Sequence, residues 1–327
     1  QAEDGIRDRS PSRGLGDVYK RQVHQCVEYA LEALIKAQFP NGAWSQRYEE
    51  FPVAEDFPVR RASYQETWSR VFPKKRYYPF YTFNDNSIAD VVRTMIEARE
   101  IYGKAKYQAA AEKAGDFILL AQMPAPQPAW AQQYDLDMHP AWARKFEPPS
   151  VTGGESQGVM RTLIYLYQKT GREDFLNAVP PALKYLKASE ISKGRLARFY
   201  ELKTNRPLYF TMKYELVYTD DDLPTHYGFQ VGSSLDSIEA AWLRAKRAGP
   251  SKPVDASRVV RQKPRKLTAA IRQRAATAVD SLDARGAWVE MSELRYQGNG
   301  REATRVISTN TFVRHITALA DYLAASR

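Results

Sequence analysis

A proline-rich stretch of this 327-residue chain brings tryptophans close to charged side chains. Prolines recur from Pro124 to Pro149, and they exclude a long helix there. The residues of this stretch and its end that could do chemistry are Trp130, Trp142, Arg144, Lys145, Glu147 and Glu155. Indole rings stack on sugar rings, and an acidic sugar also needs cations. The pattern therefore predicts a polar ligand site on a stiff loop rather than a packing element.

Arg144 and Glu147 stand three residues apart, which on a helix would be a weak salt bridge. The prolines after Glu147 favour an extended backbone at this residue, so a salt bridge along one helix face is disfavoured. Arg144 lies beside Trp142, and its planar donor fork suits a carboxylate. Glu155 follows two glycines at a predicted helix start, where it could simply complement the helix dipole.

A second candidate lies in the segment TFNDNS, which holds Asp85 and Asn86 at a predicted helix start. A helix N-cap is the structural interpretation of Asp85. The functional interpretation is a ligand of a hard cation, because carboxylate and amide oxygens are the donors that Ca²⁺ prefers. EF-hand spacing is absent from the sequence, so such a site would have to be assembled from several loops.

A third candidate is Arg198, in the segment RLARFYEL. In a strand, Arg198 and Tyr200 share one face while Phe199 packs behind them. Arg206 follows closely as a further cation. A surface ion pair of Arg198 with a neighbouring glutamate remains the structural alternative.

The elements that must position these residues are predicted to be helices. Apolar residues recur at helical spacing in about eight segments, which begin near residues 23, 88, 106, 155, 174, 233, 266 and 310. Two phrases, AQFPNGAW at 37–44 and AQMPAPQPAW at 121–130, each close a helix and end in tryptophan. This echo predicts a helical-hairpin repeat. We expect an all-α fold, an α/α toroid incomplete at its N-terminus, with a short β-hairpin near 195–230.

Composition excludes several classes of protein. The sequence contains no apolar run long enough to span a bilayer, one cysteine, and four histidines without metal spacing. Phosphate-loop, dinucleotide and nucleophile-elbow motifs are also absent from it. The net charge of +10 comes largely from residues 243–275, either a solvated linker and helix face or a landing surface for a polyanion. That segment lacks aromatics for base stacking, so we expect no nucleic-acid partner. We also expect no membrane partner and a monomeric protein.

The first 22 residues resemble translated sequencing-adapter sequence of the kind found at the ends of metagenomic gene predictions. They lack both helical periodicity and the pattern of a signal peptide. We therefore expect residues 1–22 to be a non-native tail and residues 23–327 to be one catalytic domain that has lost its natural N-terminus.

Five phrases, in order, resemble the pectate lyases of polysaccharide lyase family 10, the pectic acid lyase family. They are AQFPNGAW, YTFNDNS, PAWAQQYD, ARKFEPPSVTGGES and ARFYELKTNRP. The resemblance implies an α/α toroid that cleaves polygalacturonate by β-elimination with the help of Ca²⁺, outside the cell or in the periplasm. Ca²⁺ and a nearby arginine neutralise the C6 carboxylate of the sugar, and a base removes the C5 proton.

Carried over to this chain, the resemblance implies that Arg144 is the base, although arginine normally stays protonated. It implies that Asp85, with Glu147, binds the metal and that Arg198 clamps the substrate carboxylate. The remaining candidates for substrate binding are Asn86, Trp130, Trp142, Lys145, Glu155, Tyr200, Arg206 and Lys213.

Two departures from the family pattern affect the site. The family's earlier acidic motif would fall at or before residue 22, so one ligand of the cation or substrate is expected to be missing. The family's later Gly-Arg-Asp-Gly turn corresponds here to 211–214, where Lys213 offers a point charge without a fork.

Two alternatives to a lyase stay open from the sequence. One is a uronate-binding protein on the same fold with an incomplete site. The other is an α/α-toroid glycoside hydrolase, which needs two carboxyl groups about 5 to 10 Å apart. Glu147 and Glu155 are the obvious loop pair for that chemistry.

Overall fold

The structure is a computed structural model that describes residues 11–252, 266–292 and 303–326. Its helices are α1 (Pro11–Lys36), α2 (Ser87–Tyr102), α3 (Ala105–Ala121), α4 (Glu155–Thr170), α5 (Glu173–Asn177), α6 (Val179–Ala188), α7 (Leu235–Ala248), α8 (Ala269–Asp280) and α9 (Thr309–Ala325). Every segment that we predicted as helical contains a helix. Helix α1 begins at Pro11 rather than at Val23, with proline in the first turn where it is well tolerated.

The chain forms two compact units. One comprises Gln25–Ala256, and the other comprises Gln1–His24 with Ser257–Arg327. The single catalytic domain that we expected from Val23 onward stays a prediction. In the smaller unit α8 packs against α9, and Trp288 donates its indole N–H to Ala278 at 2.6 Å. The basic segment 243–275 straddles both units and lies partly outside the described residues.

The strands are short and all pair antiparallel. They are β1 (Tyr81–Thr82), β2 (Gln133–Tyr134), β3 (Val151–Thr152), β4 (Arg195–Ala197), β5 (Phe199–Tyr200), β6 (Pro207–Phe210), β7 (Leu216–Val217), β8 (Gln230–Gly232), β9 (Glu290–Ser292) and β10 (Thr304–Val306). Strands β3, β5, β6 and β7 form a sheet in that order; β1 pairs with β2, β4 with β8, and β9 with β10. The hairpin predicted near 195–230 is confirmed, and it belongs to a larger sheet than expected.

The two segments that end in Trp44 and Trp130 make equivalent contacts. Trp44 donates its indole N–H to Leu34 in the last turn of α1 at 2.9 Å. Trp130 donates to Ile118 in the last turn of α3 at 2.8 Å. Gln38 and Gln122, which close these two helices, each bridge their own loop to a carbonyl of another segment. The shared contacts explain the echo: each phrase locks a loop back onto the helix before it.

Two clusters of apolar side chains hold the larger unit together. The first is formed mainly by α2, α3, α4 and α6, with Trp44 and Trp130 inside it. The second lies against the sheet and contains Trp142, Phe146, Phe199, Phe210 and Phe229. It fixes the loop that carries Arg144, since Trp142 and Phe146 flank that residue. No helix in the described part of the chain is long and apolar enough to cross a membrane.

The turn at Asn41–Gly42 depends on glycine. Gly42 has φ +97°, and a Cβ there would lie 1.9 Å from the Lys113 carbonyl oxygen of α3. Gly103, which ends α2, has φ +71°, and its Cβ would meet only the flexible Arg99 side chain at 3.8 Å. Both positions favour glycine, but only Gly42 is also closely packed.

We expect Gly42→Ala to destabilise the protein more than Gly103→Ala does. The left-handed backbone costs each variant about 1 to 2 kcal/mol, and the clash at Gly42 adds about 1 to 3 kcal/mol. Urea denaturation of the two variants measures the difference directly. Equal free energies of unfolding would show that the loop moves away from α3 without cost.

Candidate functional site

Arg144 and Glu147 form a two-pronged ion pair inside a tight loop. Glu147 Oε2 accepts from Arg144 Nε at 2.8 Å and from its backbone N–H at 3.0 Å, and Oε1 accepts from Nη2 at 2.5 Å. The Glu147 side chain is 1% exposed, whereas that of Arg144 is 42% exposed. The carboxylate therefore anchors an arginine that still reaches solvent; this ion pair was not predicted, since we expected Glu147 to bind the metal.

Tyr227 joins this pair to Arg198. Its hydroxyl donates to Glu147 Oε1 at 3.0 Å. The guanidinium carbons of Arg144 and Arg198 lie 5.4 and 4.8 Å from the centre of its ring. Phe199 stacks on the same tyrosine at 6.3 Å. Sequence reasoning missed Tyr227 because its segment, THYGF, carries no recognisable spacing, and it meets Glu147 only through the fold.

Arg198 also contacts Glu155, the first residue of α4. Arg198 Nη1 lies 3.4 Å from Glu155 Oε1, and its Nε donates to the Gly228 carbonyl at 2.5 Å. The second carboxyl oxygen of Glu155, Oε2, is buried without a hydrogen-bond partner among the described residues. Buried polar atoms are normally satisfied, so this oxygen is a candidate ligand or proton site.

Asn86 and Glu155 line the same small cavity, together with Gly158. Asp85 and Asn86 both adopt left-handed backbone conformations, with φ of 53° and 57°. Two successive non-glycine residues in this region are strained, and such strain concentrates at functional sites. Asp85 itself is exposed, and its carboxylate accepts from Asn84 at 3.2 Å.

The pKa values of Glu147 and Glu155 are shifted in opposite directions. Burial alone would raise the pKa of Glu147, but the hydrogen bonds and charge of Arg144 outweigh it and the pKa is lowered. Burial raises the pKa of Glu155, and Arg198 only partly offsets this. The hydrogen bond with Glu147 raises the pKa of Arg144, which makes its guanidinium harder to deprotonate in this state.

Three predicted contact residues are core residues instead. Trp130 is completely buried, and Trp142 is 7% exposed, with its indole N–H bonded to Ser69. Tyr200 is 1% exposed and donates its hydroxyl to Ser189. The structure buries all three rings, which favours the loop-core alternative for both tryptophans; their assignment to substrate binding stays a prediction. Tryptophan content alone does not distinguish a stacking platform from a loop anchor.

The remaining predicted cations divide between two places. Lys145 Nζ lies 3.4 Å from the ring centre of Tyr214, and Tyr214 also packs on Phe146. The turn at 211–215 therefore reaches the Arg144 loop, and it carries exposed Lys213. Arg206 instead stacks on Tyr218 at 3.4 Å, in a separate set of contacts.

The donor set fits a Ca²⁺ ion only in part. Glu147, which we predicted as a metal ligand, has both oxygens bound by Arg144, so that prediction is not supported by the geometry. The unpartnered oxygen of Glu155 and the side-chain oxygen of Asn86, which lines the same cavity, are hard donors of the kind that Ca²⁺ takes; Asp85 is the exposed neighbour of Asn86 and does not line that cavity. Within the described residues no three acidic, histidine or cysteine side chains form a ready metal cluster. A substrate carboxylate would have to complete such a site.

We expect Glu155→Gln to stabilise the protein at neutral pH. A carboxyl whose folded pKa is raised destabilises the fold progressively as pH rises from the unfolded pKa to the folded one. The variant should therefore match wild type near pH 4 and exceed it by about 2 to 4 °C in Tm at pH 8. Thermal denaturation at both pH values tests this. A variant less stable than wild type at pH 8 would show that Glu155 is held ionised by a stronger partner.

Solved structures share this fold. One is a single-residue mutant of the family 10 polysaccharide lyase from Cellvibrio cellulosa in complex with trigalacturonic acid. It is 21% identical, with a TM-score of 0.51, and the match covers 72% of this chain and 78% of that chain. Another structure of the family 10 polysaccharide lyase from Cellvibrio cellulosa is 22% identical with a TM-score of 0.51, covering 71% and 76%. The predicted α/α toroid is confirmed.

The family follows from the sequence match. The model of the pectic acid lyase family matches residues 13–197, more than half of the chain, which therefore belongs to this family. The matched region contains Asp85, Arg144, Glu147 and Glu155, and it ends one residue before Arg198. No curated protein matches the chain.

Proposed function

We propose that this polysaccharide lyase cleaves a polygalacturonate-type polymer by β-elimination. The observation that carries the proposal is the clustering of Arg144 and Arg198 around the ring of Tyr227, with Lys145 next to Arg144 in the chain. Such a surface binds carboxylates through charge-assisted hydrogen bonds. That a family 10 lyase was solved with trigalacturonic acid supports the choice of an acidic oligosaccharide.

Arg198 is proposed as the clamp of the substrate carboxylate at C6. Its side chain is 23% exposed, and its position is fixed by Gly228, Glu155 and the Tyr227 ring. A fixed fork loses little entropy on binding. Lys145 adds a second positive charge, and Lys213 lies on the turn that contacts it.

Arg144 is proposed as the base that removes the C5 proton. In the present arrangement Glu147 opposes this role, because the ion pair favours the protonated guanidinium. The role therefore requires substrate binding to add positive charge and to loosen the Arg144–Glu147 pair. Tyr227 keeps a hydrogen bond to Glu147, so the carboxylate would not be left without a donor.

Calcium is proposed to bind at Glu155, Asn86 and Asp85 together with the substrate carboxylate. When bound there, Ca²⁺ would neutralise that carboxylate, stabilise the charge that develops on the sugar, and favour a neutral Arg144. We further propose that the protein acts outside the cell or in the periplasm, where such polymers occur.

Incubation with polygalacturonate tests the activity. Elimination leaves a carbon–carbon double bond conjugated to the carboxylate, so ultraviolet absorbance should rise with time. The rise should disappear when a chelator is added and return with Ca²⁺. A rise that the chelator leaves unchanged would remove calcium from the account, and no rise at all with intact protein would favour a uronate-binding protein.

A glycoside hydrolase is the second candidate, and one observation favours it. The pKa values of Glu147 and Glu155 are pushed apart, which is typical of a catalytic acid and its partner. The lyase is preferred because both oxygens of Glu147 are already bound by Arg144, which leaves no free carboxylate to act as base or nucleophile.

A further inference from the structure

A larger cavity lies apart from the arginine site in the same unit. Its volume is about 620 Å³, within the roughly 300 to 1,000 Å³ typical of small-molecule sites. Most side chains of its wall are hydroxyl, amide, carboxyl or tyrosine groups, among them Glu190, Asn205, Tyr209, Tyr218, Asp220 and Gln230, and the rest are apolar. Of the described residues that line it, none is a lysine or an arginine.

The sheet separates this cavity from the arginine site. Tyr200 lies opposite Pro207 in the β5–β6 pair, so both residues share one face with the cavity that they line. Phe199 lies opposite Leu208 on the other face, where it stacks on Tyr227. The cavity therefore lies on the Tyr200 face of the sheet, whereas Tyr227 and the two arginines that contact it lie on the Phe199 face. Arg198 lies between β4 and β5, outside both strands, so the face that we predicted it to share with Tyr200 is not observed.

The polar groups of the wall are held in position. Asp220 accepts from Gln230 at 2.6 Å. Asn205 donates to Ser189 at 2.8 Å and accepts from the hydroxyl of Tyr185. Each carboxylate has about four acceptor sites, so Asp220 and Glu190 keep capacity for ligand donors. Adjacent hydroxyls on a sugar ring are donors that a carboxylate can accept in pairs.

Charge decides what kind of ligand fits. The wall carries the carboxylates of Glu190 and Asp220, and the nearby Arg70 is already paired with Glu201 at 2.5 Å, so an acidic sugar is disfavoured here. Tyr218 already contacts two guanidinium groups, Arg206 at 3.4 Å and Arg70 at 5.0 Å, which disfavours a ligand cation at its ring. A neutral ligand rich in hydroxyls avoids both penalties, and its hydroxyl groups can donate to the carboxylates of the wall.

We propose that this cavity binds a neutral sugar unit, independently of the acidic-sugar site. A protein with both sites would hold a polysaccharide that carries acidic and neutral sugars together. The proposal does not depend on the lyase chemistry, because it concerns a different face of the sheet and a different charge of ligand.

Calorimetric titration with β-1,4-galactotriose, a neutral pyranose chain, tests the proposal. We expect binding to the wild type and about tenfold or more weaker binding to the variant carrying both Glu190→Gln and Asp220→Asn, because each loses a charge-assisted hydrogen bond. Both side chains are exposed, so the fold should tolerate these changes. The matched control is Asp221→Asn, the neighbouring exposed acid outside the wall, which should bind as wild type does.

Three results would overturn the assignment. They are no binding of galactotriose to wild type, equal binding by the double variant and the Asp221→Asn control, or displacement of the sugar by tetramethylammonium, which would mark a cation site. Binding of trigalacturonate to the same double variant is measured as well. Its affinity should equal that of the wild type, because the two substitutions lie outside the arginine site. This result does not depend on the outcome of the lyase assay.

Discussion

Replacing Arg144 by alanine together with Glu147→Gln is expected to lower kcat by about a thousandfold or more, since it removes the proposed base and the partner that positions it. The double variant is chosen because Arg144→Ala alone strands a buried carboxylate. Stranding it costs about 3 kcal/mol of stability. The single variant should therefore be both inactive and less stable, whereas the double variant should be inactive and close to wild type in stability.

Initial rates on polygalacturonate and urea denaturation curves measure the two effects separately. The matched control is Arg60→Ala, because Arg60 also pairs with an acid, Asp137, but on an exposed surface. Surface pairs of this kind contribute about 0 to 1 kcal/mol, so the control should keep its rate and its stability. A folded double variant that keeps its activity would remove Arg144 from catalysis.

The second large effect is expected at Arg198. Arg198→Ala should lower kcat/KM by about a hundredfold, since the substrate carboxylate loses a charge-assisted fork. Arg198→Lys keeps the charge but not the fork, so we expect an intermediate loss of about tenfold. KM should rise more than kcat falls, because a carboxylate clamp acts on the bound substrate as well as on the transition state.

Arg195→Ala is the matched control for this series, because Arg195 is an exposed arginine in the adjacent strand. It should leave kcat/KM unchanged. If Arg198→Ala and Arg195→Ala have the same small effect, the clamp must be sought elsewhere, with Lys145 as the next residue to change.

Local signals in the sequence predicted most helices of this protein. Helices α2 and α4 end at glycines in the left-handed conformation, Gly103 and Gly171, and glycine just after an apolar periodic segment is a local signal for a helix end. The paired prolines at 180–181 lie in the first turn of α6, where a missing backbone N–H is tolerated, and α5 ends just before them. These features depend on neighbours within a few residues, so one sequence is enough to predict them.

The site was less predictable because its residues meet over long distances along the chain. Arg144 and Glu147 are close in sequence, and the prolines pointed to their loop. Tyr227 reaches Glu147 across 80 residues, and no local pattern marked it. The sequence left Trp130 open between a sugar platform and a loop anchor, because its burial depends on packing against distant parts of the chain, which composition does not record.

The mass of the products from trigalacturonate tests the central proposal most directly. β-Elimination adds nothing, so the masses of the two products should sum to that of the substrate, and one product should carry a double bond. We predict this result for the wild type, and no product from the Arg144→Ala/Glu147→Gln variant. Products whose summed mass exceeds the substrate by one water would contradict the account and identify the protein as a hydrolase.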